Sequence, residues 1–173
     1  MQGNAGPITV GTATETDVPG LIALINALAA EQGLLFISPI DAATGGATLV
    51  AHLAMIAKSG NETVILARAE TRPVGLVTGL RGVHPARRGV VEMGIGVLVP
   101  WRGRGIGAAL LKAVEAWARA KGCHRMQFPV VATNAPAIAL YRKLGYQVEG
   151  HLTASAEHRG AKVDELLMAK LLG

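Results

Sequence analysis

The sequence predicts an α/β fold built on a mixed, mostly antiparallel sheet of about seven strands, with helices on both faces. Several apolar runs follow one another with only short turns between them, which is typical of antiparallel strands. Further along, a long amphipathic stretch separates two such runs, and a crossover of that kind joins parallel strands. Half of the 173 residues are hydrophobic, so we expect residues 1–173 to form a single domain around a shared core.

The N-terminal part of the chain predicts one strand and two helices. Residues 8–13 (ITVGTA) are typical of a strand, and Thr16 or Asp17 can cap the helix that follows. After an irregular connector over residues 34–46, apolar residues at helical spacing predict a second helix that ends near Gly60. The connector either shapes a substrate site or only links the two helices.

The middle of the chain predicts three consecutive antiparallel strands. Residues 62–69 (ETVILARA) and 73–83 (PVGLVTGLRGV) form a hairpin pattern, and residues 90–99 (VVEMGIGVLV) follow as a third strand. A glycine-rich loop then leads into an amphipathic helix over about residues 105–121.

The last part predicts a strand, a short helix and two closing strands. Residues 124–131 (HRMQFPVV) form the strand, and Asn134 caps the helix. The closing strands are residues 146–150 (YQVEG) and 162–172 (KVDELLMAKLL), and we expect residues 153–162 to form a loop that helps to shape a substrate site.

The composition argues against several classes of protein. Aromatic residues are only 3% of the chain, too few for a surface on which nucleic-acid bases stack. No DNA- or RNA-binding motif accompanies the net charge of +5, so we expect an anionic small ligand and no nucleic-acid partner. No apolar run approaches the ~20 residues of a membrane span, so we expect no membrane association. The single cysteine, Cys123, excludes an intrachain disulfide, argues against a metal site and fits a cytoplasmic location.

Three glycines at alternate positions, Gly103, Gly105 and Gly107, stand between the third antiparallel strand and the amphipathic helix. Glycines let a backbone approach a phosphate closely, and a helix N-terminus adds positive potential there. Arg102 and Arg104 add full charges. This pattern predicts a pyrophosphate site.

The same loop also satisfies the dinucleotide pattern G-x-G-x-x-G/A between Gly103 and Ala108. A dinucleotide site predicts an acidic residue about 20 positions later, for a ribose hydroxyl. The segment HRMQFPVVATN (residues 124–134) contains no Asp or Glu, and the preceding strands do not alternate with helices. The sequence therefore disfavours a dinucleotide-binding fold.

Three segments, in this order, resemble the GCN5-related N-acetyltransferases (GNAT). They are IGVLVPWRGRGIGAALL (residues 95–111), NAPAIALYRKLGYQVEG (134–150) and VDELLMAKLL (163–172). The resemblance implies a splayed sheet, with acetyl-CoA wedged where the fourth and fifth strands part, and no metal. The residues that it assigns to acetyl-CoA are Val97, Leu98, Val99, Arg102, Gly103, Arg104, Gly105, Ile106, Gly107, Ala108, Asn134 and Tyr141.

The sequence supports the splay independently of the resemblance. Pro129 lies within a predicted strand, where it cannot donate a ladder hydrogen bond. Gly94 and Gly96 lie in the facing strand, where glycine often marks a close approach. An edge strand with two neutral glycines is the alternative.

The resemblance implies two parts of the chemistry. Backbone N–H groups at Val97, Leu98 and Val99, left unpaired by the splay, stabilise the oxyanion. Tyr141, seven residues after Asn134 and on the same helix face, donates a proton to the departing thiolate. The residues alone also allow Tyr141 to be a core tyrosine and Asn134 to be only a helix cap.

We expect Glu92 to be the general base that deprotonates the amine. In a regular strand Glu92, Gly94, Gly96 and Leu98 share a face, so the two glycines would leave a channel to the carboxylate. A bulge would break that alignment, and a water relay or a merely exposed glutamate are alternatives. Cys123 has no identifiable base partner, so we expect a small buried residue there and not a nucleophile.

The function predicted is direct transfer of an acetyl group from acetyl-CoA to a primary amine in a ternary complex. The closing segment most resembles the branch that acetylates amino acids or protein N-termini, and we expect a small α-amine bearing a carboxylate. A cluster of Arg81, Arg87 and Arg88 can receive that carboxylate. The alternatives are a catalytically weak acyl-CoA-binding module and an enzyme for protein N-termini. A homodimer is a possible assembly.

Overall fold

The structure, a computed structural model, describes residues 6–31, 33–41 and 43–173. In chain order the elements of the first part are β1 (Ile8–Thr12), α1 (Val18–Ala30), α2 (Gly45–Ser59), β2 (Glu62–Ala69), β3 (Arg72–Arg81) and β4 (Val90–Val97). Those of the second part are α3 (Ile106–Ala120), β5 (Arg125–Val131), α4 (Ala135–Lys143), β6 (Gln147–His158) and β7 (Ala161–Leu171). Short 3-10 turns occupy Glu15–Asp17, Pro85–Arg87 and Val99–Trp101.

The strands form a seven-stranded sheet in the order β1-β2-β3-β4-β5-β7-β6. All neighbours are antiparallel except β4 and β5, which are parallel and joined by the α3 crossover. The mixed, mostly antiparallel sheet is confirmed. The insertion of β7 between β5 and β6 was not predicted.

Helices cover both faces of the sheet, as predicted. On one face α3 and α4 bury a core that includes Leu110, Val114 and Phe128. On the other face α1 and α2 bury a second core that includes Leu21 and Leu66. A site in the sheet between the two layers is therefore bordered by helices on both faces.

The sheet splits between β4 and β5. These strands pair only from Val90, opposite Arg125, to Glu92, opposite Gln127, and then part. Pro129 lies two residues beyond the last pair, so its missing N–H is not needed by β4. At Gly96, a Cβ would lie 2.6 Å from Leu35 Cδ2, so only glycine fits there without a shift. The predicted gap is confirmed.

The predicted helix ends lie at the expected residues at three places. Asp17 occupies the N-cap position of α1, but its side chain makes no capping hydrogen bond to that helix. Asn134 caps α4, its Oδ1 accepting from the N–H of Ala137. Gly60 ends α2 in the left-handed conformation, at φ +64°. In the described part of the chain, no helix is both long and apolar enough to cross a membrane.

Three predicted boundaries were wrong. β6 runs to His158, so most of the predicted loop over residues 153–162 is strand, and only Arg159 and Gly160 form the turn to β7. The polar segment HLTASAEHRG has no alternating apolar pattern, and pairing with β7 makes it a strand. α2 begins at Gly45, inside the predicted connector, and β4 ends at Val97, two residues early.

Candidate active site

A cavity of about 860 Å³ opens where β4 and β5 part. The loop before α3 and the first turn of that helix form one end. The segment 33–36, after α1, covers the face of the gap opposite α3. Of the predicted connector over residues 34–46, the beginning, Leu34–Phe36, lines the cavity. Residues 37–41 and 43–46 do not line it.

The glycine loop has the geometry of an anion site. Gly103 and Gly105 adopt φ values of +74° and +79°, in the left-handed region that favours glycine. The first i→i−4 bond of α3 runs from Ala109 N–H to Gly105 O. The N–H groups of Ile106, Gly107 and Ala108 are therefore free of helical partners at the positive end of a 15-residue helix, and these residues line the cavity.

The two loop arginines differ in placement. Arg102 lines the cavity, where its guanidinium donates to Val97 O at 2.8 Å and to Glu31 Oε2 at 2.6 Å. Arg104 stacks over the Trp101 ring at 5.0 Å and does not line the cavity. Part of the positive charge expected at the loop is thus balanced by Glu31, at the end of α1.

The expectation that the N–H groups of Val97, Leu98 and Val99 are all unpaired was wrong for two of them. Leu98 N–H donates to Val74 O of β3 at 3.1 Å, and Val99 N–H donates to Glu31 Oε1 at 2.8 Å. Backbone groups of a strand point alternately to its two neighbours. Because Leu98 points to β3, the N–H groups of Val97 and Ile95 point into the gap, and both residues line the cavity.

Tyr141 lines the cavity from the α4 side, together with Asn134. It is only 6% exposed, and its ring meets Phe128 edge-on at 4.6 Å. Burial raises the pKa of Tyr141 to about 12. Among the described residues, every fully buried side-chain oxygen has a hydrogen-bond partner. No described group bonds the Tyr141 hydroxyl, so that hydroxyl is not fully buried and is open to the cavity.

Glu92 stands at the last β4–β5 pair with an exposed side chain. β4 pairs with β3 without a register shift, so Glu92 does share a face with Gly94 and Gly96, as expected. Gly94 and Gly96 line the cavity, but Glu92 does not.

Glu165 of β7 lines the cavity and was missed by the sequence analysis. It is 8% exposed, and its Oε2 accepts a hydrogen bond of 2.8 Å from Ser155 Oγ. The signal in the sequence that points to it is strand alternation, which places Glu165 on the same face as Leu167 and Ala169, where a carboxylate is unexpected.

The remaining candidate groups lie outside the cavity. Arg81, at the end of β3, donates to Arg88 O. Cys123 is buried, as expected. His151 pairs with Asp164, and the ring of His158 lies 6.3 Å from that of Phe36. Arg87 and His84 belong to the turn before β4 and also do not line the cavity. Across the described ranges, no cluster of three His, Cys, Asp or Glu side chains is arranged to hold a metal.

Comparison with known proteins agrees with this geometry. The sequence profile of the acetyltransferase (GNAT) family matches residues 39–146, which covers the split strands, the glycine loop and α4. The chain belongs to the GNAT family. The resemblance inferred from its motifs is thereby confirmed.

A GNAT relative from Pseudomonas paraeruginosa, an L-methionine sulfoximine/L-methionine sulfone acetyltransferase, is 29% identical over 154 residues, covering 88% of this chain and 87% of the relative. A GNAT acetyltransferase structure from Streptococcus pneumoniae has a TM-score of 0.88 at 25% identity, covering 95% of this chain and 99% of that one. A phosphinothricin acetyltransferase from Sinorhizobium meliloti, solved with acetyl-CoA, has a TM-score of 0.82 at 23% identity, covering 96% of this chain and 89% of that one.

This GNAT protein is an acetyl-CoA-dependent N-acetyltransferase. Its cavity fits that donor: free N–H groups at the start of α3 suit the phosphates, and the gap between β4 and β5 suits an extended arm.

Proposed function

We propose that this enzyme acetylates the α-amine of a free amino acid or a close analogue by direct attack on acetyl-CoA in a ternary complex. One observation carries the proposal. A continuous cavity joins the anion site at the start of α3 to an apolar chamber under Leu28 and Leu35, through the gap between β4 and β5. A donor anchored at one end and an amine entering at the other meet in that gap, so no covalent enzyme intermediate is needed.

The backbone at the gap stabilises the charge that develops on the carbonyl oxygen. The N–H groups of Ile95 and Val97 are held by the β3–β4 ladder on their far side, so they donate without reorganising. Tyr141 then donates its proton to the departing sulfur. A phenol is protonated at neutral pH and can therefore donate, and burial raises the pKa of Tyr141 to about 12.

The mechanism also needs a general base that takes a proton from the amine. Glu92 stays the prediction made from the sequence; its side chain is exposed and does not line the cavity. If Glu92 is the base, Glu92→Gln flattens the pH dependence of kcat on the side where the amine must lose a proton. The pH profile of that variant, measured with the best acceptor, tests the role.

The choice of acceptor is supported by the Pseudomonas paraeruginosa relative, whose name gives two amino-acid derivatives as substrates. Unperturbed α-amino groups have pKa values of about 7.7–8.0, against about 10.4 for lysine side chains, so an α-amine needs less help from a base. Arg81, Arg87 and Arg88 do not line the cavity, so their contact with a substrate carboxylate stays a prediction.

A screen for thiol release from acetyl-CoA tests the acceptor. The panel is the common amino acids, L-methionine sulfone, L-methionine sulfoximine, polyamines, aminoglycosides and N-terminal peptides. We expect turnover with amino acids or the methionine derivatives. Efficient turnover of polyamines or aminoglycosides with every amino acid inert would refute the acceptor and leave the acetyl-CoA chemistry standing. Turnover of peptides alone would assign protein N-termini as acceptors.

Binding of CoA without thiol release from any amine would instead identify a sensor or partner module. We also propose that residues 1–173 form one acetyltransferase domain and that the enzyme acts in the cytoplasm, which its single cysteine favours. Cell fractionation tests the location. The homodimer stays a prediction, and sedimentation tests it.

A further inference from the structure

We propose that Glu165, held by Ser155, is the carboxylate that takes the proton from the acceptor amine. This inference rests on the proposed function, because it concerns the same cavity and the same reaction. It assigns a role to a residue to which the resemblance gave none, and it differs from the prediction for Glu92.

The position of β7 in the sheet brings Glu165 to the reaction. β7 pairs with β5, which borders the gap, and Glu165 is opposite Val131. Strand alternation then places Glu165 on the same face as Pro129 and Leu167. This is the face toward which Gly96 points, where Leu28 and Leu35 cover the gap.

Tyr141 lies on the other face, in the core formed with α3 and α4. A base and an acid on opposite faces keep the two proton transfers apart, the one from the amine and the one to the sulfur. The amine reaches the gap through the chamber under residues 33–36, which is the side that Glu165 lines.

A bulge in β6 directs Ser155 at Glu165. The β6–β7 register shifts between Leu152 and Ala156, where β6 carries extra residues. Asp164 holds the bulge, its Oδ1 accepting from Ala154 N–H at 2.8 Å, and Ala154 adopts a positive φ of +50°. Bulges beside active sites commonly redirect a side chain, and here the result is the Ser155–Glu165 hydrogen bond.

Among the side chains that line the cavity, the carboxylates are Glu31 and Glu165. Both oxygens of Glu31 are engaged, by Val99 N–H and by Arg102. Glu165 uses Oε2 for Ser155, and no described group bonds its Oε1, which is therefore open to the cavity. No arginine or lysine among the described residues forms an ion pair with Glu165, so its charge is available to a cationic ligand.

The proton transfers balance as follows. An amine enters as the ammonium, an N–H bond breaks, and the proton forms an O–H bond at Glu165 Oε1. The nitrogen lone pair then forms the C–N bond, and the C=O π electrons move to the oxygen, where the backbone N–H groups stabilise the charge. The oxyanion collapses, the C–S bond breaks, and Tyr141 gives its proton to sulfur. The nitrogen and Glu165 each release a proton to solvent, and Tyr141 regains one from solvent, so each turnover releases one proton.

Steady-state kinetics of the full chain, with acetyl-CoA and the best acceptor from the amino-acid panel, test the proposal. Glu165→Gln keeps the shape and the bond to Ser155 but cannot take a proton. We expect its kcat to fall about 100-fold or more at neutral pH, the usual cost of a lost general base. Its affinity for CoA, measured by calorimetry, is expected to stay within about twofold of the wild type, since the phosphate site is at the far end of the cavity.

The pH profile separates a base from a packing residue. Above the amine's own pKa of about 8 the acceptor is already neutral, so the deficit of Glu165→Gln is expected to shrink as the pH rises. Ser155→Ala leaves the carboxylate but frees its orientation, and we expect a smaller loss of kcat with the same pH dependence. Glu157→Gln, on the exposed part of β6, is the matched control and should behave as the wild type.

Three outcomes would overturn the inference. If Glu165→Gln stays within threefold of the wild type and Glu92→Gln loses the rate, Glu92 is the base and the proposed function stands. If the kcat of Glu165→Gln falls by the same factor at all pH values, Glu165 is structural. The same conclusion follows if Glu165→Gln does not fold while Ser155→Ala keeps the wild-type kcat and pH profile. If the wild type binds CoA but acetylates no amine, the proposed function fails and this inference fails with it.

Discussion

Replacing Tyr141 with phenylalanine removes one oxygen from a side chain that is almost fully buried. The ring contacts would persist, since they involve Phe128 at 4.6 Å and Tyr146 at 6.1 Å and not the hydroxyl. No described group bonds the hydroxyl, so no protein partner is left unsatisfied. We therefore expect the free energy of unfolding to change by less than about 1 kcal/mol.

The expected loss of rate follows from the protonation of this phenol. With a pKa of about 12, Tyr141 is ionised in only about one molecule in 10³ at pH 9, whereas an ordinary tyrosine with a pKa of 10 is ionised in about one in ten. The wild-type donor is thus protonated throughout the working range. Removing a general acid typically lowers the rate about 10²–10⁴-fold, or roughly 3–5 kcal/mol in the barrier.

The assay is thiol release at saturating acetyl-CoA, together with thermal unfolding of both proteins. We expect kcat to fall by at least about 100-fold, with little change in the KM for acetyl-CoA and in Tm. An unchanged kcat, accompanied by a lower Tm, would show that Tyr141 is a packing residue and that the thiolate obtains its proton elsewhere.

Two further predictions concern the phosphate loop and the N-terminal ion pair. Gly105 has a φ of +79°, so Gly105→Val strains the loop, and Arg102→Glu reverses a charge beside it. We expect both variants to weaken CoA binding, measured by calorimetry. Glu31→Gln removes the charge that pairs with Arg102 but keeps Arg102 itself, so we expect it to leave CoA binding unchanged. Arg68 lowers the pKa of Asp17 to about 2 from 3.8. The pKa of Asp17 is lower in the folded state than in the unfolded state, so the pair stabilises the fold above about pH 4 and loses that effect as the pH falls toward 2. We expect the stabilisation to be about 1–2 kcal/mol after solvent screening. Urea unfolding of wild type and Asp17→Asn should differ at pH 7 and converge near pH 2; a constant difference would contradict the linkage.

Local pattern was enough to predict the elements that form the glycine-loop end and the α4 side of the cavity. The alternate glycines at 103, 105 and 107, the cap at Asn134 and the helix that carries Tyr141 all depend on neighbours within a few residues, and the structure places them together around the cavity. The gap could also be predicted, because Pro129 lacks the N–H of a ladder hydrogen bond and glycines in the facing strand often mark a close approach.

Only the tertiary structure decided which distant side chains meet at the cavity. Glu165 reaches the cavity because β7 inserts between β5 and β6, and Ser155 reaches Glu165 because a bulge shifts the β6 register. Arg102 is paired with Glu31, 71 residues earlier in the chain. Such contacts depend on which distant strands pair and in what register, and no periodicity within a single segment records that choice.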